Sequence, residues 1–246
     1  MKLFKLTFTI ALMAIISLAG CKQNTENTEP TNESAKPTDT PDNQLQAGDL
    51  VFVALPLDYD LNASSDMISA IMASTSDTSE LNYIHVAIAD VDTNNNVWII
   101  DATLKHGVDR YPLDTFLCDF TLPNGQYPIF NIMRLNDNTK AKEYVENAKK
   151  YTGREYDKYF LPDNDEQYCS ELVRNSYKNG DEYIFSDYPM NFKSQDGTFP
   201  IYWQELFDYI GQPIPQGVAG TNPNAMYKEK CISKVDVQLE SYAKKQ

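Results

Sequence analysis

Tyr168-Cys169-Ser170-Glu171-Leu172-Val173 is the stretch on which the reading of this chain turns. Small and apolar residues recur at helical spacing through Cys169, Leu172, Val173, Ser176 and Tyr177, and Gly180 follows as a stop signal. Asp163, Asp165 and Glu166 form an acidic approach suited to capping the free amides of a helix start. The pattern predicts a helix whose first turns carry Cys169. A thiol there benefits from the helix dipole, and a free thiol pKa of about 8.5 can fall by several units in such surroundings. A cysteine alone in that position is more often a small buried residue. Its meaning depends on what stands upstream.

Upstream stands His85, one of only two histidines. Tyr83 to Asp90 and Val97 to Thr103 are rich in β-formers, and the turn-like Asp92-Thr93-Asn94-Asn95-Asn96 joins them as a hairpin. Setting His85 directly opposite Asp101 places Ile84, Val86 and Ile88 opposite Ala102, Ile100 and Trp98. One face is then apolar and the other carries both polar residues, whereas a slip of one residue destroys the match. The register predicts an imidazole and a carboxylate about 5 Å apart at their β-carbons. A carboxylate on one ring nitrogen fixes the tautomer and raises the basicity of the other, which can deprotonate a thiol. Isolated, His85 reads as a satisfied core histidine; paired with an acid in a chain that also carries Cys169, it reads as a general base. His106, in Lys105-His106-Gly107, is expected to be a solvated turn residue, and Asp90 and Asp114 surface acids.

Composition bounds the remainder. Thirty-five Asp plus Glu against 21 Lys plus Arg give a formal net charge of -14, which excludes the basic surface that nucleic acid requires. Lys2 and Lys5 precede an apolar run from Leu6 to Leu18 that is too short for a comfortable membrane span. The run ends in Leu18-Ala19-Gly20-Cys21, which resembles the lipobox of bacterial lipoproteins. That resemblance implies cleavage before Cys21, lipidation of its sulfur and anchoring in the cell envelope by several acyl chains. Residues 1–20 are therefore expected to be a signal peptide and 21–46 a lipidated cysteine with a polar tether, since Lys22 to about Leu45 cannot bury enough surface to offset its chain entropy. Residues 47–246 are enough for one domain.

Export permits disulfides, yet with Cys21 lipidated only Cys118, Cys169 and Cys231 remain. Cys169 is expected to be free, while Cys118 and Cys231 suit either a disulfide or two small buried side chains. Gly48-Asp49 followed by Leu50-Val51-Phe52-Val53 reads as a turn into a strand, Phe130 to Leu135 as a strand, and Ala63 to Ala73, Thr139 to Tyr151 and Ile201 to Ile210 as helices. The aromatic face of the last, with Tyr202, Trp203 and Phe207, is expected to be core rather than a lipid or substrate groove. Strands dominate the first half and helices the second, an α+β pattern. No zinc-type spacing and no phosphate-cradling glycine loop is present, so neither metal nor cofactor is expected.

Several segments, taken in order, resemble the circularly permuted papain-like amidases of YiiX and YaeF type, within the NlpC-like superfamily and close in topology to lecithin retinol acyltransferase. They are Gly48-Asp49-Leu50-Val51-Phe52, His85-Val86-Ala87-Ile88, Asp101-Ala102 with Gly107-Val108, Gly153 to Tyr156-Asp157, Tyr168-Cys169-Ser170-Glu171-Leu172, and Gly220-Thr221-Asn222-Pro223. In unpermuted NlpC-type enzymes the cysteine helix precedes the Gly-Asp and His segments; here it follows them, which marks the permuted branch. The resemblance implies a permuted papain-like fold, an antiparallel sheet or partial barrel packed against helices that include the nucleophile helix. It implies Cys169 as nucleophile, His85 as general base and then acid, and an acidic third member that the family often supplies as Glu and this chain as Asp101. The backbone amide of Cys169 is expected to donate to the oxyanion, with Tyr168 lining the pocket or assisting there. The expected function is a monomeric, lipid-anchored cysteine amidase acting through a thioester on an amide of the envelope, a peptidoglycan-derived peptide or an N-acylated amino acid or lipid. An acyltransferase with the same chemistry and a degenerate binding module are the alternatives.

Overall fold

The computed structural model describes residues 43–56, 66–75, 81–162 and 164–243. The expected signal peptide, Cys21 and nearly all of the tether lie outside those residues. The described chain runs β1 (Leu50–Pro56), α1 (Asp66–Thr75), β2 (Leu81–Val91), β3 (Val97–Thr103), β4 (Gly107–Pro112), α2 (Leu113–Asp119), β5 (Ile129–Leu135), α3 (Ala141–Lys149) and α4 (Cys169–Ser176). Next come β6 (Lys178–Asn179), β7 (Glu182–Tyr183), β8 (Tyr188–Pro189), α5 (Ile201–Ile210), β9 (Ala219–Gly220), α6 (Pro223–Tyr227) and β10 (Ile232–Val235). Six strands form one open antiparallel sheet in the order β10-β5-β1-β2-β3-β4, giving the expected α+β fold.

β1 reads as a continuous apolar run because both its faces are buried. Leu50, Phe52 and Ala54 point into a core shared with α3 and α4, through Tyr144, Val145, Leu172 and Val173. Val51 and Val53 point into a second core shared with α2, through Leu113, Phe116 and Leu117. The sheet is thus the middle of three layers, an arrangement that buries both faces of its central strands. A third apolar cluster joins α1 to α5 through Met67, Ala70, Trp203 and Phe207. Leu45, at the end of the expected tether, is buried in the α2-side core, and its amide donates to the Tyr242 hydroxyl at 2.9 Å, so ordered chain begins before residue 47.

The hairpin register differs from the expected one. β2 and β3 pair as Ile88↔Ile100, Ala89↔Ile99, Asp90↔Trp98 and Val91↔Val97, so His85 is not directly opposite Asp101. Asp92 explains the offset. Its carboxylate accepts from the amides of Asn94 (2.8 Å) and Asn96 (2.9 Å) and from the Asn96 side chain (2.9 Å), stabilising a longer turn. The register moves by two residues, which preserves the alternation of faces, and His85 and Asp101 become diagonal neighbours on one face. Ile84 also departs from expectation. β1 and β2 pair Val53↔His85 and then Ala54↔Tyr83, leaving Ile84 as a bulge. The bulge takes Ile84 off the face of Val86 and Ile88 and packs it with the α2-side core. β4 and α2 escaped the sequence reading, because Gly107-Val108-Asp109-Arg110-Tyr111-Pro112 lacks apolar alternation and α2 is short.

Candidate active site

α4 begins at Cys169 with Tyr168 as its N-cap. Of the acids of the approach, Asp163 lies outside the described residues, and Asp165 and Glu166 do not cap it. Glu171 does so from within the first turn, its Oε2 accepting from the Tyr168 amide at 3.3 Å. Burial pushes the Glu171 carboxyl up to about 8. The chain is led to this point by a bridge between Tyr156 and Gln167, with Asp157 N–H donating to Gln167 O and Gln167 N–H to Glu155 O, both at 3.1 Å. At the other end of α4 the Tyr177 hydroxyl donates to Gly48 O at 2.8 Å. Asp49 is fixed in turn by Arg134, at 2.6 and 2.8 Å. The Gly-Asp turn therefore anchors the helix that carries the thiol.

β2 and β3 are paired no further than Ile88 and Ile100. His85 and Asp101 lie beyond that last pair, and their side chains meet there, His85 Nε2 to Asp101 Oδ2 at 3.0 Å. Asp101 is fully buried, and its second oxygen accepts from the Tyr111 hydroxyl at 2.7 Å. The His85 ring rests against Phe120, with centroids 4.9 Å apart, and Phe116 beyond it. Nε2 is committed to Asp101, which leaves Nδ1 for the hydrogen bond between His85 and Cys169. Burial alone would push the imidazole pKa down; the charge on Cys169, the hydrogen bonds to Asp101 and Cys169, and the Asp101 charge outweigh it and lift His85 to about 10. The thiol, imidazole and carboxylate thus form one contiguous row, as the sequence suggested, although through a diagonal contact. Tyr111 is the member that sequence reasoning missed; the one available signal was its position in a strand that itself went unseen.

Beside Cys169 lies a cleft of about 470 Å³, part of it open to solvent, walled by Ile71, Ile84, Phe160, Met190, Phe192 and Trp203. Trp203 therefore both fills the α1–α5 cluster and faces the cleft, so the helix expected to be pure core contributes to both. Tyr168 lines the cleft too. Its hydroxyl accepts from the Thr221 amide at 2.9 Å, and the Thr221 hydroxyl donates to Ser170 Oγ at 2.9 Å. Gly220 stands directly before this contact, and a β-carbon there would sit 2.6 Å from Met190 and 3.0 Å from the Tyr168 hydroxyl. Phe160 holds a left-handed backbone, φ 53, unusual for a bulky residue. The Asp157 carboxylate brackets its loop, accepting from the Tyr159 amide at 2.9 Å and the Asn164 side chain at 3.1 Å.

Two of the remaining expectations are corrected. His106 is not a solvated turn residue: Nε2 is 2.7 Å from Asp119 Oδ2 and the ring packs on Tyr111. Asp90 is buried rather than a surface acid, bonded to Arg110 at 2.7 Å and Lys149 at 3.0 Å. Both corrections come from cations or acids far off in sequence. Cys118, Cys169 and Cys231 are all thiols, so no disulfide joins the first and last. Among the described residues no group of three or more His, Cys, Asp and Glu side chains is placed to hold a metal ion.

Comparison with known proteins agrees with the topology. Residues 44–236 match the family of permuted papain-like amidase enzymes of YaeF/YiiX type, the C92 family. No curated protein matches the chain. Among solved structures, the fold is similar to that of a protein described as the metalloprotein yiiX from Escherichia coli O157:H7, with a TM-score of 0.55 and 22% identity, over 77% of this chain and 96% of that one. The match to the family extends from the turn before β1 to the end of β10 and contains the helix, strand and cleft just described, and the chain therefore belongs to the permuted papain-like amidases, a family of cysteine hydrolases.

Proposed function

We propose that Cys169 is the nucleophile of an N-acyl amide hydrolase. The observation that carries the reading is His85 held between Asp101 and a thiol at the first position of a helix. Cys169 as thiolate attacks the amide carbonyl, and the developing oxyanion takes the backbone N–H of Cys169, one of the unpaired amides of the helix start. His85 passes its Nδ1 proton to the departing nitrogen as the C–N bond breaks, leaving a thioester. Water then attacks that thioester, His85 removing its proton, and the acid product leaves with the thiolate restored.

The cleft favours a hydrocarbon acyl group over a peptidoglycan peptide. The leaving nitrogen must touch His85 to be protonated, so the acyl half lies on the other side of the thiol, where the cleft opens. Among the described residues no Asp, Glu, Lys, Arg or His lines it. Several of its polar side chains are already bonded within the protein: Ser74 Oγ accepts from Trp203 Nε1 at 3.1 Å, and Asn191 donates to Ser74 O at 2.7 Å. A charged peptide would be buried there unpaired, at a cost of several kcal/mol (~3 or more). Lipidation at Cys21 would hold the cleft at a membrane surface, where acylated substrates reside.

The test is a rapid acid quench with a medium-chain N-acyl anilide. Mass spectrometry is expected to find the acyl mass on the peptide bearing Cys169, and none in Cys169→Ala. An added amine that captures the acyl group in preference to water would reassign the enzyme as a transferase; turnover that survives Cys169→Ala would overturn the reading.

A further inference from the structure

We infer that Tyr111 is a positioning residue for the reaction, acting through Asp101 on His85. This rests on the reading of Cys169, His85 and Asp101 given above. β4 pairs with β3 as Ile99↔Tyr111 and Asp101↔Asp109, which makes Tyr111 a diagonal neighbour of Asp101 on the same face. Its hydroxyl donates to Oδ1 at 2.7 Å while Oδ2 faces His85 Nε2 at 3.0 Å. The first distance is that of a charge-assisted bond. Asp101 has no exposed surface, so each of its oxygens depends on one of these two donors.

Removing the hydroxyl leaves a buried carboxylate oxygen without its donor. The group must then turn, recruit water or take up a proton, and each response loosens its grip on His85. Tyr111 is suited to permanent donation. Burial, then the charges of Asp101, Asp119 and Asp109, hold its phenol far above the usual range, so it does not become a phenolate that would repel Asp101. The ring is braced as well. His106 packs on it with centroids 4.8 Å apart and is itself held by Asp119 at the end of α2. A second histidine–aspartate pair thus steadies the tyrosine that steadies the first. Tyr111 does not line the cleft, so substrate binding is not expected to sense it directly.

The experiment compares wild type, Tyr111→Phe, Asp101→Asn and the double variant. Two rates are measured: alkylation of Cys169 by iodoacetamide at neutral pH, which needs no substrate, and turnover of an N-acyl anilide. Tyr111→Phe is expected to lower kcat about tenfold or more with KM unchanged, the lower end for a hydrogen bond to a charged acceptor, and to slow alkylation in parallel. In the Asp101→Asn background the same change is expected to lower neither rate further, because the hydroxyl there no longer steadies a charge and its loss only frees the amide to turn its oxygen toward His85. Equal losses in both backgrounds would mean a merely structural role, and wild-type rates in Tyr111→Phe would overturn the inference outright. His106→Gln, which keeps the hydroxyl but removes the brace, provides a variant independent of Tyr111 folding: kcat should fall a few-fold with KM constant, and unchanged kcat counts against the inference. If wild-type Cys169 is alkylated no faster than Cys231, the catalytic reading itself fails. If wild type and Asp101→Asn behave as expected and Tyr111→Phe equals wild type, only the role of Tyr111 fails.

Discussion

Replacing Asp101 by Asn keeps the volume of a fully buried side chain and removes its charge. The Tyr111 hydroxyl, 2.7 Å away, secures the amide oxygen, so the amide NH₂ is turned toward His85 Nε2 at the former 3.0 Å contact. Two donors then face each other unless the imidazole adopts the tautomer with its proton on Nδ1, the nitrogen that must accept from Cys169. The variant also loses the attraction between carboxylate and imidazolium. With charge centres about 4 Å apart and an effective dielectric of about 20, that attraction is roughly 4 kcal/mol, or about 10³ in rate. The analogous change in a serine triad costs about 10⁴, so a loss of kcat between about 10³ and 10⁴ is expected. KM should hold, because Asp101 does not line the cleft. Turnover of an N-acyl anilide gives kcat and KM, and iodoacetamide alkylation across pH reports the thiolate, whose profile should move to higher pH. Asp101→Glu retains the charge but forces the Tyr111 hydroxyl to give way, and should keep far more activity than Asn. A kcat for Asp101→Asn within about threefold of wild type would refute the argument and leave Asp101 an ordinary buried strand residue.

Gly107 holds φ +64, and a β-carbon there would lie 2.5 Å from Arg154 O, so Gly107→Ala should destabilise by at least about 2 kcal/mol, read as a melting temperature lower by about 4 °C or more. Burial raises the Glu171 carboxyl from 4.5 to about 8, so the folded protein keeps a proton that the unfolded chain has released; stability should be full below the unfolded value and decline as pH rises through about 8. Glu171→Gln is expected to flatten that decline in thermal melts, and a slope identical to wild type would exclude Glu171 as its source. Burial pushes Cys231 up to about 11, so limited alkylation at neutral pH should mark Cys169 well ahead of Cys231, as peptide mapping would report. Cys21→Ala should release the protein from membranes into the soluble fraction with its melting temperature unchanged, and continued membrane association of that variant would argue against lipidation.

Local pattern was enough to read most of the fold around the site. The helix at Cys169, the strand at His85, the hairpin after it and α5 follow from apolar periodicity and turn residues, which act over neighbouring positions and leave their mark in order along the chain. The pairing of His85 with Asp101 was legible because alternation of faces survives a register shift of two; the register itself was not, since it depended on how the Asp92 carboxylate would fold the turn. The tertiary structure decided what no local pattern carries. Tyr111 reaches Asp101 only because β4 pairs with β3, and β4 has too little apolar alternation to announce itself. His106 and Asp90 were read as solvent-facing because their partners, Asp119, Arg110 and Lys149, become neighbours only when distant segments pack. The cleft beside Cys169 is assembled from α1, the Phe160 loop, the segment around Met190, α5 and the turn before α6. Sequence alone thus fixed which groups could react and in what order they occur, since residue type and local spacing are properties of the chain. How those groups are held, and what the thiol is offered, are properties of contacts between segments far apart in sequence, and only folding creates them.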